Sequence, residues 1–281
     1  MTKDIVLNAI QKLDNINPND EFAYEEAIRS FLSIGQFPVL IDKVNSNTSI
    51  CRTRTHSKNE SLFEKVSDIF ISPRNVITAF ARCNKPHQAK LYGSENRQTS
   101  YLELVKYWLD NFKEGDKLFV TVGQWITQRD FNLVIVTIPD KHQRKSAFDK
   151  HYGDYLDKYI GQYSNSVKEG FIEFYKYLFC KFRKEAKNDL HTYLITTAYC
   201  NLALNLAKDK ADGIMFPSVP ANGNGMNLAF NSSITSLSNF KLSTVIRNEM
   251  TVIRDGNGTN FKETGFLKAV SFDTNKNEII W

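Results

Sequence analysis

Arg52 and Arg54 stand two apart in Cys51-Arg52-Thr53-Arg54, inside a stretch, Thr48 to Thr55, that reads as a β-strand. Alternate strand positions share a face. Two guanidinium groups on one face would make an anion clamp, because each presents a planar donor fork that matches phosphate oxygens. A second pattern, Ala81-Arg82-Cys83-Asn84-Lys85-Pro86, is followed by Leu91-Tyr92-Gly93. A third, Tyr101-Leu102-Glu103, sets a carboxylate near the start of a helix. The fourth runs from Asp212-Gly213-Ile214-Met215-Phe216-Pro217-Ser218-Val219 into Asn222-Gly223-Asn224-Gly225-Met226-Asn227-Leu228-Ala229-Phe230. A strand that ends in Pro-Ser and opens into a glycine-rich loop lets backbone and hydroxyl approach a ligand closely. Taken singly, each pattern also fits a plainer description: a solvated strand face, one surface carboxylate among many, an ordinary turn.

Other chemistries fit less well. Ser218 lies in Pro217-Ser218-Val219 and lacks the small flanking residues of a nucleophile elbow. Asp255-Gly256-Asn257-Gly258-Thr259 resembles a calcium loop faintly, but Asn260 stands where the sharp turn needs glycine and Phe266 where the last ligand would be glutamate. A hairpin turn is the better reading. The histidines (His56, His87, His142, His151, His191) have no metal-like spacing. The glycines of Asn222 to Asn227 do not make a dinucleotide fingerprint between strand and helix. Cys51, Cys83, Cys180 and Cys200 are scattered and read as reduced, partly buried thiols.

These residues need a frame to position them. Ile5, Val6, Ile10 and Leu13 recur at helical spacing, as do Phe22, Ala27, Ile28, Phe31 and Leu32, so residues 1–45 read as an N-terminal helical extension. Phe37 to Asp42 is a short apolar stretch, Glu60 to Ile71 a loop with apolar anchors, and Ala89 to Gly93 a strand. Thr99 to Phe112 is a helix, capped by Thr99 or Ser100, with Leu102, Val105, Leu109 and Phe112 on one side. Lys117 to Val122 and Asn132 to Ile138 read as an antiparallel pair. His142 to Leu206 is mostly helical, and Tyr193 to Leu206 is apolar enough for a core helix. Gly213 to Phe216, Asn227 to Phe230, Leu242 to Ile253 and Phe266 to Phe272 complete the strands. The pattern predicts an α+β fold with mostly antiparallel strands.

Composition limits the classes of function. The chain has 281 residues, 42% apolar and 24% charged, as in a soluble globular protein. No apolar run reaches the roughly 18 residues a membrane span needs. The first residues, Met1-Thr2-Lys3-Asp4, do not look like a secretory signal, so a cytoplasmic protein is expected. The net charge of +5 is mild. The densest basic stretches, around Lys141, Arg144, Lys145 and Lys150 and around Lys181, Arg183, Lys184 and Lys187, read as solvated helix faces, and direct nucleic-acid binding is not expected.

In order, the four patterns resemble the RES domain family, named for its arginine, glutamate and serine. That family has an early arginine on a strand, a Gly-Arg-aromatic-Asn turn, a strand ending in Leu-Tyr, a helix with Thr-Ala-x-x-Glu, and a late Asp-Gly-Ile-x-Tyr-Pro-Ser-Val with an Asn-Leu-Ala-aromatic strand. The matching residues here are Arg52; Arg82 and Asn84; Leu91 and Tyr92; Thr99, Ser100 and Glu103; and Asp212 to Val219 with Asn227 to Phe230. Ala81, Cys83 and Phe216 depart from the pattern, at the positions of its Gly, aromatic and Tyr. The long gap between Glu103 and Asp212 implies an insertion, at about 116–209, within a RES-like domain of residues 46–281.

The resemblance implies an ADP-ribosyltransferase-like core and an enzyme that cleaves the nicotinamide–ribose bond of NAD+ by hydrolysis or phosphorolysis. It implies a bacterial growth-arresting toxin held by a helix-turn-helix antitoxin. NAD+ is then a substrate, inorganic phosphate a second one, and neither a cofactor nor a metal is expected. Glu103, Arg82 and Tyr92 would be catalytic; Arg52, Arg54, Asn84 and Ser218 would bind NAD+. The alternatives are a mono-ADP-ribosyltransferase acting on a macromolecule and a non-catalytic binding module on the same fold.

Overall fold

A computed structural model describes the chain except residues 36–38, 57–61, 109–111, 186–188, 208–210, 222–223 and 256–257. Six sequence expectations fall partly on these residues: the Phe37 stretch, the start of the Glu60–Ile71 loop, Leu109 of the helix stripe, Lys187 of the second basic stretch, Asn222 and Gly223 of the glycine-rich loop, and Gly256 and Asn257 of the hairpin turn. The side chain of Val105 also lies outside the description.

The fold is α+β. Strands β1 (Ile41–Val44), β2 (Ser49–Thr55), β3 (Lys90–Ser94), β4 (Lys117–Thr127), β5 (Phe131–Ile135), β6 (Gly213–Pro217), β7 (Met226–Asn231), β8 (Phe240–Asp255) and β9 (Gly258–Lys268) form one nine-stranded sheet. Its order is β1-β5-β6-β7-β3-β2-β4-β8-β9, and all pairs except β5–β6 are antiparallel. A parallel pair needs a crossover. Helices α4 (Ala147–Ile160), α5 (Asn165–Arg183) and α6 (Leu190–Leu206) supply it between β5 and β6. A small hairpin, β10 (Ser271–Asp273) with β11 (Glu278–Ile280), ends the chain.

The strands expected at 117–122 and 132–138 form, but they do not pair with each other. β4 lies between β2 and β8, and β5 between β1 and β6. Both runs show strand periodicity; the partner is chosen by which faces must be buried, and β5 buries Phe131, Leu133, Val134 and Ile135 across both faces, with Asn132 alone exposed. The segment 116–209 therefore begins inside the sheet. Its helical part packs there too: α5 and α6 touch β6, and Phe182 of α5 meets Phe216 of β6 at 5.4 Å.

Helices α1 (Lys3–Asp14) and α2 (Ala23–Leu32) lie against α5 and α6. Val6, Ala9 and Leu13, and Ala27 and Phe31, are the buried stripes. Asp14 accepts hydrogen bonds from Tyr177 at 3.0 Å and Lys181 at 2.8 Å, so the first helix is tied to α5. The chain then enters the sheet itself as β1. The centre of the sheet is filled by Phe131, Phe230 and Phe240, with ring centroids 5.1–5.2 Å apart.

The basic stretch at 141–150 is not uniformly solvated. Arg144 is buried, donating to Asp154 (2.9 Å), Asp157 (2.8 Å) and the carbonyls of Ile138 and Pro139. Gly153 makes room for it: a Cβ there would sit 2.3 Å from Arg144 Nε. Among the described residues, no helix is long and apolar enough to cross a membrane.

Candidate functional site

Glu103 sits on α3 (Arg97–Trp108), which crosses β2, β3 and β7. The helix starts earlier than its composition suggests. The cap is Asn96, whose Oδ1 accepts from the Thr99 backbone N–H at 2.8 Å, in place of Thr99 or Ser100. Ser100 instead shares a buried 2.7 Å hydrogen bond with Thr53 of β2, and Tyr101 donates its hydroxyl to Asn248 of β8. These contacts fix how α3 lies on the sheet, and with it the direction of Glu103. Gly225 comes close against the same helix; a Cβ there would be 2.4 Å from Thr99 Oγ1.

The Glu103 carboxylate is held from the sheet side. Ser218 Oγ and Asn227 Nδ2 both donate to Oε1, each at 2.6 Å. Ser94 Oγ donates to Asn227 Oδ1 at 2.7 Å, which fixes the amide with its NH2 towards Glu103. Three strand ends, β3, β6 and β7, thus aim one carboxylate oxygen, and Oε2 takes part in neither bond. Ser218 is fully buried and its backbone N–H donates to Gly225 O at 2.7 Å, so its hydroxyl serves Glu103 and not the cleft surface.

The cleft in front of Glu103 measures about 270 Å³. Arg52, Arg82, Tyr92 and Glu103 all line it, with Tyr193, Phe216 and Asn227 among their neighbours. Arg52 donates to Tyr92 O and Ser72 Oγ, each at 3.0 Å, and its Nε has no partner. None of the described ion pairs includes it. Burial, and then the charge of Arg54, pull its pKa down to about 10, so it stays a cation at neutral pH. A buried cation without a carboxylate costs stability unless an anion arrives.

Arg82 also faces the cleft. Its guanidinium donates to Lys181 O at 3.0 Å and Lys184 O at 3.2 Å, at the carboxyl end of α5, and lies over the Tyr193 ring 5.5 Å from its centroid. Tyr92 presents its ring, while its hydroxyl donates to Asn84 Oδ1 at 2.8 Å and accepts from the Cys83 N–H at 2.9 Å. Burial pushes that phenol well above its usual pKa.

Three expected site residues do not line the cleft: Ser218, expected to bind the substrate, is buried with its hydroxyl on Glu103, and Asn84 and Arg54 are engaged elsewhere. Asn84 is buried and spends its side chain on Tyr92 and on Lys85 O. Arg54 lies over the Phe63 ring at 5.6 Å, so the two arginines of β2 do not form a paired clamp. Asp212 of the late pattern is an anchor: Arg129 grips both its oxygens at 2.8 and 3.3 Å, and the Asn132 N–H donates to it at 3.0 Å. Asn227 and Ser94 received no role from the sequence. Asn227 carried a usable signal, since a polar side chain inside the apolar strand Met226–Phe230 must find a partner. Tyr193 carried none: its place in the cleft depends on how α6 docks.

All four cysteines are free thiols, and among the described residues no three His, Cys, Asp or Glu side chains gather as a metal site requires. The cleft can hold an anion on Arg52 and Arg82 and set one oriented carboxylate against positive charge. The chain matches no protein-family model and no curated protein.

Proposed function

We propose that the protein degrades NAD+ by cleaving its nicotinamide–ribose bond, on an ADP-ribosyltransferase-like core of the RES type. The observation that carries this reading is the cleft itself. Arg52, Arg82, Tyr92 and Glu103, from separated segments, line one cleft, and Ser218 and Asn227 donate to the Glu103 carboxylate that faces it.

The chemistry suits a single carboxylate. A glycosidase uses two because its leaving oxygen needs a proton. In NAD+ the leaving ring is a pyridinium: as the C1′–N bond breaks, the electron pair goes to the ring nitrogen and neutral nicotinamide departs. The ribose becomes an oxocarbenium-like cation, which Glu103 Oε2 would stabilise while orienting the hydroxyls. Water then attacks C1′ and releases a proton, giving ADP-ribose, or phosphate attacks and gives its 1-phosphate. Arg52 and Arg82 would hold the pyrophosphate or the attacking phosphate, and Tyr92 would wall the nicotinamide side with its ring.

In a bacterial cytoplasm such an activity arrests growth, and a helix-turn-helix antitoxin is the implied partner. The test is incubation of the purified protein with NAD+, with and without inorganic phosphate. Free nicotinamide with ADP-ribose or its 1-phosphate supports the reading. Label transferred to a macromolecule favours mono-ADP-ribosyl transfer, and no turnover in either buffer favours a binding module.

A further inference from the structure

We propose that Tyr193 is a base platform: it stacks the adenine ring of the dinucleotide while Arg82 holds the adjoining phosphate. The proposal rests on the NAD+ reading and adds the half of the substrate that the catalytic carboxylate does not touch. Tyr193 belongs to the first turn of α6, is partly buried, and lines the same cleft as Glu103. Arg82 stands 5.5 Å from its ring centroid, and two carbonyls of the α5 end hold that guanidinium in place. A rigid ring beside a fixed planar cation matches a nucleotide, whose base stacks on an aromatic face and whose phosphate takes paired donors.

The carboxylate decides which ring lies there. Glu103 must meet the nicotinamide ribose, whose developing charge it stabilises, so the other base of the same dinucleotide, adenine, is the one left for Tyr193 in the same cleft.

The platform is built into the helix and not into a loop. Asp189 caps α6, accepting from the Thr192 N–H at 2.9 Å, and Thr197, one turn beyond Tyr193, donates to Ala81 O at 2.7 Å. Cys200 approaches Arg82 O at 3.8 Å. Helix α6 thus holds Tyr193 and the Arg82 turn in register.

The experiment compares wild type, Tyr193→Phe and Tyr193→Leu as full-length proteins, after their melting temperatures are checked. Calorimetric titration with AMP reads the platform without catalysis. Turnover of NAD+ and of nicotinamide mononucleotide, which lacks the adenosine half, reads it during catalysis. Tyr193→Phe should match wild type. Tyr193→Leu should weaken AMP about tenfold or more and raise KM for NAD+ by a similar factor, with kcat kept and mononucleotide turnover changed less than twofold. Wild type that fails to bind AMP, equal AMP affinity in Tyr193→Leu, or equal loss on both substrates would overturn the proposal. A wild type that binds AMP through Tyr193 but releases no nicotinamide would keep the platform and remove the NAD+ reading.

Discussion

Glu103 receives two short hydrogen bonds on one oxygen, and their donors differ in what they leave behind when removed. Ser218→Ala deletes one donor and little volume. It should lower kcat about tenfold with KM for NAD+ nearly unchanged, because the carboxylate loses aim while the phosphate contacts stay. Steady-state kinetics check this; a rise in KM at constant kcat would mean that Ser218 serves binding. Arg52 is a buried cation whose Nε has no partner and which no carboxylate meets among the described ion pairs. Its folded pKa of about 10 lies below the ordinary arginine value, so between the two the unfolded chain binds more protons and stability rises with pH. That gain is absent below about 10, so linkage is silent at neutral pH. Anion binding follows the charge itself. KM for NAD+ should be flat from pH 7 to 9 and climb above about 10, and Arg52→Met should abolish the thermal shift that ADP-ribose gives the wild type. A melting-temperature series with ADP-ribose tests the variant, and an unaltered shift would remove Arg52 from the anion site.

At the scale of elements, α6 is the piece whose position the cleft depends on most. Burial pushes the Asp189 carboxyl up, but the Lys184 ammonium at 2.7 Å and the hydrogen bonds from Thr192 outweigh it and hold the pKa well below the carboxylate range. A depressed folded pKa means stability present above the ordinary carboxylate range and lost as the pH falls towards the folded value. Asp189→Ala should cost about 1 kcal/mol, the usual value of a helix cap, or about 2–4 °C in melting temperature for a chain of this size. The deficit should shrink in acid, where the unfolded wild-type carboxyl takes a proton that the folded one refuses and the contact's contribution falls; thermal melts at pH 7 and pH 3 check both parts. Elements with a strong local pattern were legible in the sequence. Ser49–Thr55, Lys90–Ser94, Gly213–Pro217 and Met226–Asn231 match the expected strands closely, since alternation or apolar runs bounded by turns leave little choice. Pairing was not legible for β4 and β5. β9 was missed over most of its length, the expected strand covering only its end from Phe266: Lys262 and Glu263 put a charge on each face of this edge strand, which resembles a loop in composition.

For the whole molecule, Arg52, Arg82, Tyr92 and Glu103 were legible as candidates because each carries its own local pattern, and the fold brings them to one cleft. What joins them was hidden. The Ser94–Asn227–Glu103 chain of hydrogen bonds spans three elements, and Tyr193 reaches the cleft only through the docking of the α4–α6 crossover on β6. Arg54 and Asn84 show the converse: their local patterns suggested ligand contact, but Phe63 and Tyr92 claim their side chains. The N-terminal helices and the crossover are parts of one packed body, so the cleft should not survive their removal.

The central claim is that this cleft cleaves NAD+ with Glu103 as its carboxylate, and the most direct measurement is nicotinamide release by wild type and by Glu103→Gln. The glutamine keeps size and hydrogen bonding but removes the charge opposite the forming oxocarbenium ion, a loss on the order of 3 kcal/mol or about a hundredfold in rate. The account predicts steady nicotinamide release by wild type. It predicts a folded Glu103→Gln protein with an unchanged melting temperature that binds NAD+ with near-wild-type affinity and turns it over at least about a hundredfold more slowly. Turnover by Glu103→Gln at the wild-type rate, or no release of nicotinamide by wild type in either water or phosphate, would contradict it.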